Sequence, residues 1–199
     1  MSLPPTTSEV EEAPAAPVAK KRSTKRSLTE WGIVVVIAVV VSILIRTFVF
    51  QTFFIPSGSM EPTLQIGDRI VVSKLSVEFG TIHTGDILVF KAPKAVADVC
   101  GDDVADLVKR VIGLPGQTIW SKGNTIYVDG KVLKQPWTHV AEIGPKPITK
   151  THITKNHYFM MGDNEPNSCD SRYWGTIPRS SIIGKAFLRI WPLSHAGFL

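Results

Sequence analysis

The stretch Thr125–Leu133, TIYVDGKVL, reads as two short strands folded back on each other. Asp129-Gly130 separates the β-branched and aromatic run TIYV from KVL, and Asp-Gly suits the two-residue hairpin turn whose central positions need positive φ. Working outward, RIVVSK (69–74), DILVFK (86–91), LVKRVIG (107–113), YFMMGD (158–163) and IIGKAFLRIW (182–191) share that composition and are punctuated by Gly, Pro and Asp. No sustained 3.6-residue periodicity and no internal repeat interrupts them. The expectation is a mostly β domain of antiparallel sheets over residues 49–199, with an irregular stretch at 138–157, THVAEIGPKPITKTHITKNH.

The N-terminal quarter has a different character. Residues 1–19 are rich in Pro, Ala and Glu with little to bury, so a disordered tail is expected there. The formal net charge of +5 is concentrated in KKRSTKR, Lys20–Arg26. Trp31 and the run GIVVVIAVVVSILI follow, ending at Ile45 before Arg46. That run is about 15 residues, short of the roughly 20 that span a bilayer, but Trp31 sits well at an interface and Arg46 can snorkel outward. One transmembrane helix over 30–48 is therefore expected.

A cleaved signal peptide is disfavoured because RTFVFQTFF has no small-residue cleavage site. A buried helix of a soluble protein would normally show a polar face. A basic cluster beside an apolar run is read more simply as a topology signal than as a nucleic-acid site. Residues 1–29 are then a cytoplasmic tail, the chain crosses the cell membrane once, and residues 49–199 lie outside it.

Chemistry-bearing patterns are few. The five histidines have no metal-ligand spacing, and GLPGQT lacks the lysine of a phosphate loop, so no metal or nucleotide is expected. A hydroxyl nucleophile is what remains. In IPSGSMEPTL (55–64) Ser57 and Ser59 sit on a loop tightened by Pro56, Gly58 and Pro62. Serine needs a base, and a desolvated lysine can serve as one. Strand alternation puts Lys109 on one face with Leu107 and Val111, an apolar setting for an amine. Taken singly, such a serine is usually a turn residue and such a lysine usually reaches solvent. The residues alone suggest a Ser/Lys hydrolase and do not pair the two groups.

The blocks PSGSMEPTL, GDRIVVSK, GDILVFK, LVKRVIGLPGQ and GDNEPNSCDSRYWG, in this order behind one apolar run, resemble the type I signal peptidases, the bacterial leader peptidases. The resemblance covers the apolar run and most of residues 46–192, and it implies a fold of antiparallel sheets. It implies that Ser59 is the nucleophile and Lys109 the general base. It also implies that Ser57 joins the Ser59 N–H in the oxyanion hole and that Ser168 positions the lysine amine. Asp170 and Arg172 match a structural charge pair, and Phe53, Ile55, Met60, Leu64 and Val108 match the walls of shallow substrate pockets. The substrates implied are signal peptides of exported preproteins, cut after small residues in an A-x-A-like context, with the lipid bilayer as the other partner and no cofactor.

The chain departs from that pattern at Glu165-Pro166, where Arg-Asp is common, and at Cys169, where a small residue is common. Two other functions compete. A self-cleaving Ser/Lys repressor-type protease would need a DNA-binding helix-turn-helix, and a tethered β module without activity would resist serine-acylating agents. Cys100 and Cys169 are either two free thiols or one bridge. An oxidising compartment, and the closeness of Lys109 and Ser168 that the resemblance implies, favour a bridge.

Overall fold

The computed structural model describes residues 24–101, 103–138 and 142–199. The chain divides into two compact units, Met1–Val41 and Ser42–Leu199. Helix α1, Thr24–Phe48, is continuous over 25 residues. It begins earlier than the sequence predicts, so residues 24–29, read as tail, are helical. TKRSLTE contains neither Gly nor Pro, and a helix already nucleated propagates at little cost. The remainder of the predicted tail, residues 1–23, lies outside the described residues.

Among the described side chains of α1, the large apolar ones are exposed, Val34 by 55% and Ile37 by 57%. Among the described residues no helix is long and apolar enough to cross a membrane.

The second unit runs, in chain order, β1 (Phe50–Phe54), β2 (Arg69–Ser73), α2 (Leu75–Glu78), β3 (Ile87–Lys91), α3 (Ala95–Cys100), β4 (Asp106–Gly113), β5 (Thr118–Lys122), β6 (Thr125–Val128), β7 (Lys131–Val132), β8 (Thr151–His152), β9 (His157–Met161), α4 (Ser171–Trp174), β10 (Ile177–Pro178), β11 (Ile182–Trp191) and β12 (Gly197–Phe198). An eight-stranded sheet has the order β1-β2-β11-β3-β4-β9-β10, with β12 beside β11, and a second sheet has the order β7-β6-β5-β8. Every pairing is antiparallel. The predicted hairpin is present between β6 and β7, with Asp129 at φ 50° and Gly130 at φ 79°.

Alternation along β3 and β4 supplies both faces of the large sheet. Ile87 and Val89 pack with Ile55, Met60, Leu64, Ile70 and Val72 beneath the IPSGSM loop, with Val108 against them. Leu88, Phe90 and Val111 face the other way, onto Val77, Met160 and Ile177. A third cluster joins Ile112, Phe159 and Met161 to Ile119 and Ile126 of the small sheet. The loop bearing the two serines therefore stands on packed aliphatic side chains, and β4 is held on both faces.

Cys100, at the end of α3, and Cys169 form a disulfide with Cα atoms 6.0 Å apart. It closes a loop of sequence separation 69, for which the chain-entropy model gives about 4 kcal/mol of stabilisation. Protein isolated from an oxidising compartment should take up no alkyl group before reduction and two afterwards, read by intact mass. Two alkyl groups without reductant would show that the bridge does not form there.

Candidate active site

Ile55 ends the approach from β1: its N–H donates to Asp68 O, and its carbonyl accepts from the Gly67 N–H, both at 2.9 Å. The chain then turns through a single 3₁₀ turn, Gly58–Met60. Met60 and Leu64 drive their side chains into the core, 1% and 0% exposed, which leaves Ser57, Gly58 and Ser59 facing outward.

Across from this turn, β4 presents Lys109, directly opposite Leu88 of β3 in the register. Lys109 is 2% exposed, and its Nζ donates to Ser59 Oγ at 2.6 Å across 50 residues of sequence. Ser57 Oγ lies 3.4 Å from Ser59 Oγ. This contact brings a buried amine against a hydroxyl that faces the cleft.

The two groups open onto a cleft of about 510 Å³. Phe53, Ile55, Met60 and Val108 line it together with Ser57, Ser59 and Lys109. Leu64 does not line it: its side chain is fully buried in the cluster below Met60. Ser168 is likewise buried, and its hydroxyl makes no hydrogen bond to any described group, Lys109 included. Among the described residues no cluster of His, Cys, Asp or Glu could hold a metal ion.

Asp170 and Arg172 form a buried bidentate pair, Nε to Oδ1 at 2.8 Å and Nη2 to Oδ2 at 2.7 Å. Asp170 also caps α4 by accepting from the Arg172 N–H at 3.2 Å. The same guanidinium donates to the carbonyls of Ile143, Glu165 and Ser168. It thus holds backbone, and stands behind the cleft without lining it.

Three residues of GDNEPNS were not singled out by sequence reasoning. Asp163 accepts from Arg110 Nε at 2.8 Å and Nη2 at 2.6 Å, and from Thr63 Oγ1 of the serine loop. Asn164 lines the cleft, and its N–H donates to Ser59 O at 3.2 Å. Gly162 lets these chains approach, since a Cβ there would collide with Ser59 O and with the Ser168 side chain. The signal available was a glycine directly after the bulky strand YFMM, where loss of a side chain marks close backbone approach.

A family model described as "Signal peptidase, peptidase S26" matches residues 28–191. A probable signal peptidase I-2 of Synechocystis sp. is 38% identical over 183 residues, 90% of this chain and 81% of the relative. Signal peptidase I of Leptolyngbya laminosa is 35% identical over 189 residues, covering 94% and 91% of the two chains. Signal peptidase I of Mycobacterium tuberculosis is 34% identical over 236 aligned positions, covering 94% and 80%.

Behind the cleft, two arginines face three buried carboxylates. Asp163 and Asp170 each take one guanidinium, and Glu165 is the third, 3% exposed. Its pKa is raised from 4.5 to about 7, first by desolvation, against lowering by the Gln135 hydrogen bond and Arg172, with Asp170 and Asp163 adding to the rise. Folded protein then binds a proton that unfolded protein has lost between pH 4.5 and about 7, so this group makes stability fall with rising pH across that window. Glu165→Gln should raise the thermal midpoint at pH 8 and leave it little changed at pH 4. An equal shift at both pH values would contradict the assignment.

Proposed function

The chain belongs to the signal peptidase family, peptidase S26, hydrolases that remove signal peptides, and on that premise we propose that Ser59 and Lys109 form its reacting dyad. The observation that carries this reading is the 2.6 Å contact between Lys109 Nζ and Ser59 Oγ at the floor of the cleft. In the neutral form the amine accepts the Ser59 proton as Oγ attacks the scissile carbonyl. The carbonyl oxygen then gains charge, and the Ser59 N–H with the Ser57 hydroxyl stabilises it. The ammonium of Lys109 gives its proton to the departing amine, leaving an acyl group on Ser59. Water, deprotonated by the same lysine, releases that acyl group and restores the hydroxyl. Ser168, buried with an unsatisfied hydroxyl, is the group on hand to steady the lysine amine as its charge changes.

The substrate is an extended peptide with small side chains near the cut. The walls supplied by Phe53, Ile55, Met60 and Val108 are apolar and lie close to the nucleophile, which suits alanine-sized groups in an A-x-A-like context. On β4, Leu107 and Val108 precede the part that pairs with β9, so their β9-facing edge is open for a peptide strand. Helix α1 is the membrane anchor in this reading. Its full length is 25 residues, more than the roughly 20 that span a bilayer, and its exposed aliphatic surface suits lipid. The Lys20–Arg26 cluster would keep the N-terminus cytoplasmic and the β unit outside.

Ser59→Ala and Lys109→Ala should each lower preprotein cleavage by at least about a thousandfold while the thermal midpoint stays near that of the parent, because hydroxyl and amine act as one unit. Substantial cleavage by purified Ser59→Ala would sink the nucleophile assignment. The rate should rise with pH into the mildly alkaline range as Lys109 loses its proton, since only the neutral amine accepts one. A rate that falls steadily from pH 6 to pH 9 in folded protein would argue against a lysine base.

A further inference from the structure

We propose that Asn164 is a positioning residue that aims the backbone N–H of Ser59 into the cleft by clamping the Gly58–Ser59 peptide plane. The inference rests on the reading of Ser59 as nucleophile and adds a residue that acts through the backbone on either side of it.

A trans peptide is planar, with its C=O and N–H pointing in opposite directions. Whatever fixes the Gly58 carbonyl therefore fixes the Ser59 N–H. The Gly58 carbonyl accepts from Asn164 Nδ2 at 3.1 Å and from the Glu61 N–H at 3.1 Å, so two donors fix its direction. The Ser59 N–H is the other end of that plane, and Ser59 lines the cleft. On the far side of Ser59, its carbonyl accepts from the Asn164 N–H at 3.2 Å. One residue thus grips the peptide units on both sides of the nucleophile.

The amide of Asn164 is itself oriented. Asn167 Nδ2 donates to Asn164 Oδ1 at 3.3 Å, so the oxygen faces Asn167 and the nitrogen faces Gly58. Asn164 is anchored in turn by its neighbour Asp163, which is 1% exposed and held by Arg110. Glycine at 58 adds freedom that needs this restraint, because it has no side chain to limit its backbone.

An N–H aimed at the oxyanion stabilises the transition state more than the bound substrate. Deleting an oxyanion donor costs about 10²–10³ in kcat, and loosening its aim should cost less, on the order of 10 to 100-fold. The test uses the full chain in detergent, with a preprotein substrate and a peptide aldehyde ending at alanine. With the aldehyde, Ser59 Oγ adds to the carbonyl carbon, its proton moves to the Lys109 amine, and the carbonyl oxygen takes the oxyanion position. Asn164→Ala and the near-isosteric Asn164→Asp, which loses the donor, should both lower kcat about 10 to 100-fold with KM within about twofold, and should weaken aldehyde binding by a similar factor. Asn167→Ala, which frees the amide without removing it, should show the same pattern at smaller size. Unchanged kcat in Asn164→Asp, or a loss confined to KM, overturns the clamp. Ser59→Ala run alongside separates the two readings: if it is inactive while Asn164 variants keep full kcat, only the clamp fails, and if it is active, the nucleophile assignment fails as well.

Discussion

Asp163 is the constraint on which the cleft depends. Its carboxylate takes both ends of the Arg110 guanidinium, with the pair nearly closed to solvent, and it takes the Thr63 hydroxyl as well. Arg110 follows Lys109 on β4, Thr63 lies just past the serine turn, and Asp163 opens the loop after β9. Three segments far apart in sequence are thereby tied at one carboxylate. A bidentate Arg–carboxylate pair fixes direction as well as distance, and breaking one when buried typically costs about 3–5 kcal/mol because the partner charge is stranded. Trp137 closes over the guanidinium, 4.9 Å from the ring centre, and the Gly85 carbonyl takes its remaining Nη1 donor.

From that point the loop 162–170 is held at both ends. Arg110 holds Asp163, and Arg172 holds Asp170 while also taking the Glu165 and Ser168 carbonyls. Between these grips lie Asn164, which meets the serine turn, and Ser168, which sits buried beside Gly162. The disulfide adds a third restraint by joining Cys169 to the end of α3, and both cysteines line the cleft. The cleft is therefore braced where the amine and hydroxyl meet, which in the proposed dyad spares the proton transfer a search for geometry.

Much of this was legible in the sequence. Strands β2, β3, β4, β9 and β11 stand where alternating and β-branched runs put them, and Asp129-Gly130 makes its hairpin. Strand β1 was not singled out because FQTFF does not alternate strictly between apolar and polar residues. The short helices α2, α3 and α4, of four to six residues, carry too few residues for any period to register. Local pattern placed Lys109 in an apolar strand, but only the resemblance paired it with Ser59, since a contact across 50 residues leaves no periodic trace. Leu64 went the other way: the resemblance matched it to a pocket wall, and its side chain is fully buried in the core beneath Met60. Asp163 and Asn164 were quoted within a motif without a role, because the groups each one holds lie far away in sequence, at Arg110 and at Gly58.

The most direct test of the account is to map, by peptide mass spectrometry, the site at which a serine-acylating inhibitor modifies the full-length protein, with and without Lys109. The account predicts one acyl group on Ser59, none on Ser57 or Ser168, and labelling slowed by orders of magnitude in folded Lys109→Ala. Acylation at another serine, or undiminished labelling of Ser59 without the lysine, would contradict it.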